Sequence, residues 1–149
     1  MEQFANGPYL QAAFFCERLL EESDGVLSAI RIVDTIDIQD GGLSEQTEPP
    51  LVNLILFIAF KGGGASGSYD LTVTMEGPSQ NPTTAEERYT QTLVFYGTED
   101  RGVTVIMPVA MTVGEEGVYW FTIYLSGRLV TRLPLRVAVV REMPPDGPQ

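Results

Sequence analysis

The stretch that most constrains the fold is "VYWFTIYLSGRLVTRLPLRVAVV", residues 118–140. Two runs rich in aromatic and β-branched residues are joined by Ser126-Gly127. Such runs fit a pleated, half-buried surface, and a short link of this type closes an antiparallel hairpin. In the second run Leu129, Leu133, Leu135, Val137 and Val139 share one parity, and Arg128, Arg132 and Arg136 share the other. Side chains of a strand alternate between faces, so the spacing predicts a strand with an apolar side and a basic row. A hairpin of this kind needs a sheet to receive it.

The rest of the chain is punctuated in the same way. Residues 26–38 place Val26, Ile30, Ile32, Ile36 and Ile38 on one parity, with Arg31, Thr35 and Asp37 on the other. This reads as one half-buried strand. Asp24-Gly25 just before it is a hairpin signal. Residues 9–20 are then the partner strand, with Leu10, Ala12, Phe14 and Cys16 sharing a face, although the Leu, Ala and Glu content also suits a helix. An acidic loop over 39–50 ends at Pro49-Pro50. Further strands are expected over 51–60, 68–75, 89–96, 102–110, 118–125 and 128–140. Pro108 and Pro134 fall inside two of them and belong at an edge, a bend or a bulge, because proline cannot donate to a ladder. The tail "REMPPDGPQ" (141–149) reads as disordered. About eight short strands without a clear helix predict an all-β, two-sheet sandwich of seven to nine strands, in one domain over 1–140.

Just ahead of the final hairpin stand Glu115, Gly117 and Tyr119. Acid, spacer, glycine, spacer, tyrosine is the lead-in to the tyrosine corner of immunoglobulin-like sandwiches, where the phenol bonds back to the corner. Phe121 lies two residues on, where antibody-type domains place a cysteine. Beyond the corner, "PYLQAAFFCERLLEESDGVLSAIRIVD" (8–34) and "EEGVYWFTIYLSGRLVTRLPLRV" (115–137) carry a wider likeness. On these segments the chain resembles an uncharacterised bacterial family of Ig-like domain proteins of unknown function. The resemblance implies a bacterial immunoglobulin-like sandwich and implies no activity.

Charge and composition exclude several classes. The net charge is −11, with nine Lys and Arg against 20 Asp and Glu. Nucleic-acid backbones and anionic membranes both demand clustered positive charge, so neither is an expected partner. The apolar run "LVNLILFIAF" (51–60) is half the length of a spanning helix, and no signal-peptide pattern opens the chain. With one cysteine, Cys16, no disulfide can form within the chain, which favours a reducing, cytoplasmic setting.

Catalytic chemistry finds little to work with. The chain has no histidine, which removes the serine and cysteine triads, the usual zinc sites and the commonest general base. The segment "GGGASG" (62–67) satisfies Gly-x-Gly-x-x-Gly, but a strand pattern follows it where a dinucleotide fold needs a helix; it reads as a hairpin loop. Cys16 reads as a buried, inert thiol. Acidic pairs at Glu21-Glu22, Glu86-Glu87, Glu99-Asp100 and Glu115-Glu116, and the series Asp34, Asp37, Asp40, lack the spacing of a calcium loop. No cofactor is expected. The expectation is a non-enzymatic protein–protein interaction or assembly module for an unknown protein partner. Arg128, Arg132, Arg136 and the 76–88 loop are its candidate contacts, and cross-strand acidic partners are the structural alternative for the arginines. The competing reading is a module for a small ligand, carbohydrate or calcium, built on loop carboxylates and Tyr69, Tyr89 or Tyr96.

Overall fold

The computed structural model describes residues 6–39, 50–79, 88–98 and 100–140. Its nine strands are β1 (Tyr9–Glu21), β2 (Leu27–Val33), β3 (Thr35–Gln39), β4 (Leu51–Lys61), β5 (Ser66–Glu76), β6 (Arg88–Tyr96), β7 (Gly102–Thr112), β8 (Gly117–Leu125) and β9 (Arg128–Val140). They form a four-stranded sheet in the order β2-β1-β4-β7 and a five-stranded sheet in the order β3-β9-β8-β5-β6. The fold is an all-β, immunoglobulin-like sandwich, and residues 9–20 are strand, not helix. The 141–149 tail, most of the acidic loop (40–49), most of the candidate contact loop 76–88 (80–87, with Glu86 and Glu87), and Glu99 and Asp40 lie outside the described residues.

Two turns follow from their residues. In the β1–β2 hairpin Gly25 N–H donates to the Glu22 carbonyl at 2.9 Å, with Gly25 at φ +85°. In the β8–β9 hairpin Ser126 and Gly127 both have positive φ, +47° and +79°, which matches the right-handed twist of the strands they join.

Residues 26–38 form two strands, not one. The chain bends at Asp34: β2 pairs with β1 in one sheet, while β3 runs parallel to β9 in the other. The Asp34 carbonyl accepts the Arg136 N–H at 2.9 Å, which fixes the crossing point. Period two is kept, but its meaning changes across the bend. Ile36 and Ile38 pack on the core, whereas Ile32 is 62% exposed on the outside. The segment 62–65 is likewise not a hairpin loop, because it carries the chain from β4 in one sheet to β5 in the other.

The prolines sit where a missing donor costs nothing. Pro108 is in β7, at a sheet edge. Pro134 is in β9, which β3 reaches only from Arg136 onward. Arg136 N–H points toward β3, so the same-parity position 134 has its nitrogen on the open side of the strand.

The core lies between the sheets and includes Leu56, Ile58, Leu71, Ile123, Leu125 and Leu135, all fully buried. Phe15 of one sheet meets Phe121 of the other edge-on at 4.8 Å. An aromatic pair thus joins the sheets through the position where antibody-type domains carry a cystine cysteine.

Candidate functional site

The corner residues come together as a structural unit. Tyr119 Oη donates to the Glu115 carbonyl at 2.9 Å, and burial pushes the phenol above its ordinary pKa. The Glu115 carboxylate accepts the Ser79 N–H at 2.9 Å and the Ser79 hydroxyl at 2.5 Å. These bonds favour the ionised form and lower its pKa, the hydroxyl contributing most. Gly117 has φ +143°, and a Cβ there would lie 2.6 Å from the Pro78 side chain. Only glycine meets both demands. The corner therefore ties β8 to the segment that follows β5, and its acid is already engaged.

The three arginines do not form one row. Between Ile123 and Tyr124 the register of β8 and β9 shifts by one residue, so Val130 is an unpaired bulge. Arg136 opposes Val118 and Arg132 opposes Thr122 on the outer side, whereas Arg128 opposes Leu125, a core residue, and so has the opposite parity. A bulge inverts the alternation beyond it. The cross-strand neighbours are not acids either: Arg136 has Thr35 and Val118 beside it, and the Arg132 guanidinium sits 4.5 Å over the Trp120 ring.

The larger feature is the outer face of the four-stranded sheet. Opposed residues in a ladder share a face. Phe14 opposes Phe57 and stacks on it at 4.8 Å, and Ile106 lies across from Phe57 on the other side. Cys16 opposes Ile55 and Ile32, and Pro108 opposes Ile55. None of these belongs to the core between the sheets. Ile106 is 46% exposed and Ile32, as noted, still more so. Cys16 is nevertheless fully buried; burial raises its thiol pKa, with a backbone hydrogen bond at Arg18 opposing. In β1 the face begins after a bulge at Gln11, which sends Leu10 to the core and Ala12, Phe14 and Cys16 outward. Within the described ladders the charged side chains of this face are Arg18 and Lys61, and none of its ladder positions is acidic.

This face was missed from sequence, yet a signal exists. "LVNLILFIAF" is apolar on both parities, which is unusual in an antiparallel strand with one face in water. It reads as a strand covered on both sides.

A second concavity of about 300 Å³ opens between β6 and β7, the edges of the two sheets. Val73, Met75, Met107 and Phe121 are among the residues that line it, together with Arg88 and Tyr89. Tyr69 is elsewhere, edge-on to Phe95 at 5.4 Å, and Tyr96 is exposed on β6. The segment 62–64 spends its backbone within the protein: Gly62 N–H donates to the Arg101 carbonyl and Gly64 N–H to the Asn6 carbonyl. Among the described residues no three acidic or cysteine side chains gather as a metal cluster.

No family model matches the chain, and no curated protein matches it. Among solved structures it is similar to an immunoglobulin-like protein from Pseudomonas aeruginosa, at 13% identity and a TM-score of 0.42, over 90% of this chain and 99% of the other.

Proposed function

We propose that the protein is a non-enzymatic interaction module that binds another protein through the outer face of its four-stranded sheet, and that it belongs to the uncharacterised bacterial Ig-like family it resembles. The observation that carries this reading is the contiguous apolar surface around Phe14, Phe57, Ile55, Ile32 and Ile106, without an acidic side chain in its ladders, on a chain of net charge −11. Soluble monomers rarely expose apolar patches beyond a few hundred Å², and larger ones mark interaction sites. A cytoplasmic setting fits the single covered thiol.

A pull-down from host lysate tests the reading, with wild-type protein against an Ile32→Asp, Ile106→Asp double variant. Protein recovered by the wild type and lost by the variant supports it. Equal recovery by both moves the contact elsewhere. The β6–β7 concavity favours a second reading, a module for a small apolar ligand. A melting temperature that rises on titration with such a ligand supports that alternative, since binding to the native state alone stabilises it.

A further inference from the structure

The partner of this face can be named by its chemistry. We propose that it is a second copy of this chain, so that two four-stranded sheets pack face to face about a two-fold axis. The inference rests on the reading above that this face binds protein.

Size is the first argument. Four strands at about 4.8 Å spacing, with residues 51–59 of β4 at about 3.3 Å each, give a sheet face of roughly 19 by 30 Å, apolar at its centre with Asn53, Thr104 and Thr112 toward its margins. Side chains add to that projected area, so two copies together bury more than about 1,000 Å², the size a specific interface needs. The geometry is already in use inside the molecule, where two sheets pack through apolar faces; sheets stack at about 10 Å.

Charge is the second argument. A chain of −11 repels its own copy over most of its surface. The ladders of this face hold no acid, and their two cations stand far apart. Lys61 opposes Tyr9 at one end of β1, and Arg18 opposes Ile30 near the other. The strip between them is uncharged and mostly apolar, with Thr104 and Asn53 as its polar side chains. Two copies approach there with the least electrostatic cost, and a two-fold contact needs only one self-complementary patch.

Sedimentation equilibrium over a concentration series is the test. The expected result is a wild type that sediments at twice the monomer mass at tens of micromolar. Ile32→Asp, Ile106→Asp should raise the dissociation constant by about 100-fold or more, the effect of burying uncompensated carboxylates. Leu129→Asp, on the other sheet, should remain dimeric. A wild type that stays monomeric up to about 1 mM, or a double variant that still dimerises, overturns the proposal. If the double variant fails to fold, the concentration dependence of the wild-type melting temperature decides: a rise with concentration supports the dimer and a constant value overturns it. A monomeric wild type whose double variant still loses a host protein in the pull-down sinks the second copy while leaving the binding face intact.

Discussion

The two outer faces of this sandwich come from strands of similar length and are built to opposite ends. On the five-stranded sheet Thr72 opposes Thr90 and Thr92 opposes Asp70, with Thr74, Glu76, Arg132 and Arg136 on the same side. Its aromatic Trp120 is capped by a guanidinium. This face satisfies itself: Thr92 Oγ1 donates to Asp70 Oδ1 at 3.2 Å, and cation meets ring. On the four-stranded sheet the central outward positions hold Phe14, Phe57, Ile55, Ile106, Ala12 and Cys16, with polar residues such as Asn53 and Thr104 toward the margins. Antiparallel sheets usually alternate apolar-in and polar-out, so one face obeys the rule and the other breaks it. The lesson is that sheet pairing by itself does not fix what an outer face carries: two sheets of one sandwich alternate by different rules.

The largest effect sharpens this contrast within a single strand. Leu56 and Phe57 are neighbours in β4, one fully buried between the sheets and the other on the outer face. Leu56→Ala should cost about 2–5 kcal/mol in chemical denaturation at any protein concentration, the range for a core truncation that leaves a cavity. Phe57→Ala should cost less than about 2 kcal/mol in dilute protein, where solvent already reaches the ring. Its cost should grow as concentration rises and the face becomes covered. Equal and concentration-independent losses for both would end the distinction between the two sides of β4.

Cys16 probes the same face without a change of residue. Fully buried in the folded protein, the thiol should react with a colorimetric thiol reagent about 10-fold or more slowly than unfolded protein at neutral pH. Ile32→Ala should restore much of that rate, and no change would mean that Ile32 does not cover it. The pKa direction adds a sign. A thiol whose folded pKa is raised contributes stability that is fully present below its ordinary value of 9.0 and lost as pH rises through the folded value. Unfolding midpoints of wild type and Cys16→Ala should therefore draw together in alkaline buffer and stay apart at neutral pH.

Much of the fold was legible because turns and alternation are local. Asp24-Gly25 and Ser126-Gly127 announce their hairpins through φ, and Glu115, Gly117 and Tyr119 announce a corner whose phenol does bond back to Glu115. What escaped was whatever depends on one residue more or less. The unpaired Gln11 and Val130 invert parity partway along β1 and β9, and nothing in their own chemistry marks them as bulges. The basic row failed for that reason alone. The bend at Asp34 was hidden because period two says that a strand alternates, not which sheet receives each side. The outer face was hidden because the apolar run in β4 is weighed against the length of a spanning helix and not for its two faces.

Glu115 offers a smaller, pH-dependent effect on the five-stranded side. Its carboxylate is held ionised by Ser79, so its folded pKa lies below the ordinary value of 4.5. A lowered pKa contributes stability that is present above the ordinary value and lost as pH falls through the folded one. Glu115→Gln should therefore melt below wild type near neutral pH, with the gap closing in acid. A gap that stays constant down to about pH 2 would show that the carboxylate charge plays no part in holding the corner.

The smallest effect tests whether the polar face is as self-contained as its contacts indicate. Arg132 stands over Trp120, the chain's single tryptophan, so tryptophan fluorescence reports on the surroundings of this one ring. An exposed cation–π pair contributes about 0.5–1 kcal/mol. Arg132→Ala should lower stability by no more than that, and should alter Trp120 emission as water replaces the guanidinium. Arg128→Ala should leave the emission unchanged, since the Val130 bulge gives that residue the opposite parity. Equal shifts from both variants would restore a continuous basic row. An effect confined to Arg132 leaves the cation–ring pair standing alone, separated from Arg128 by the bulge at Val130.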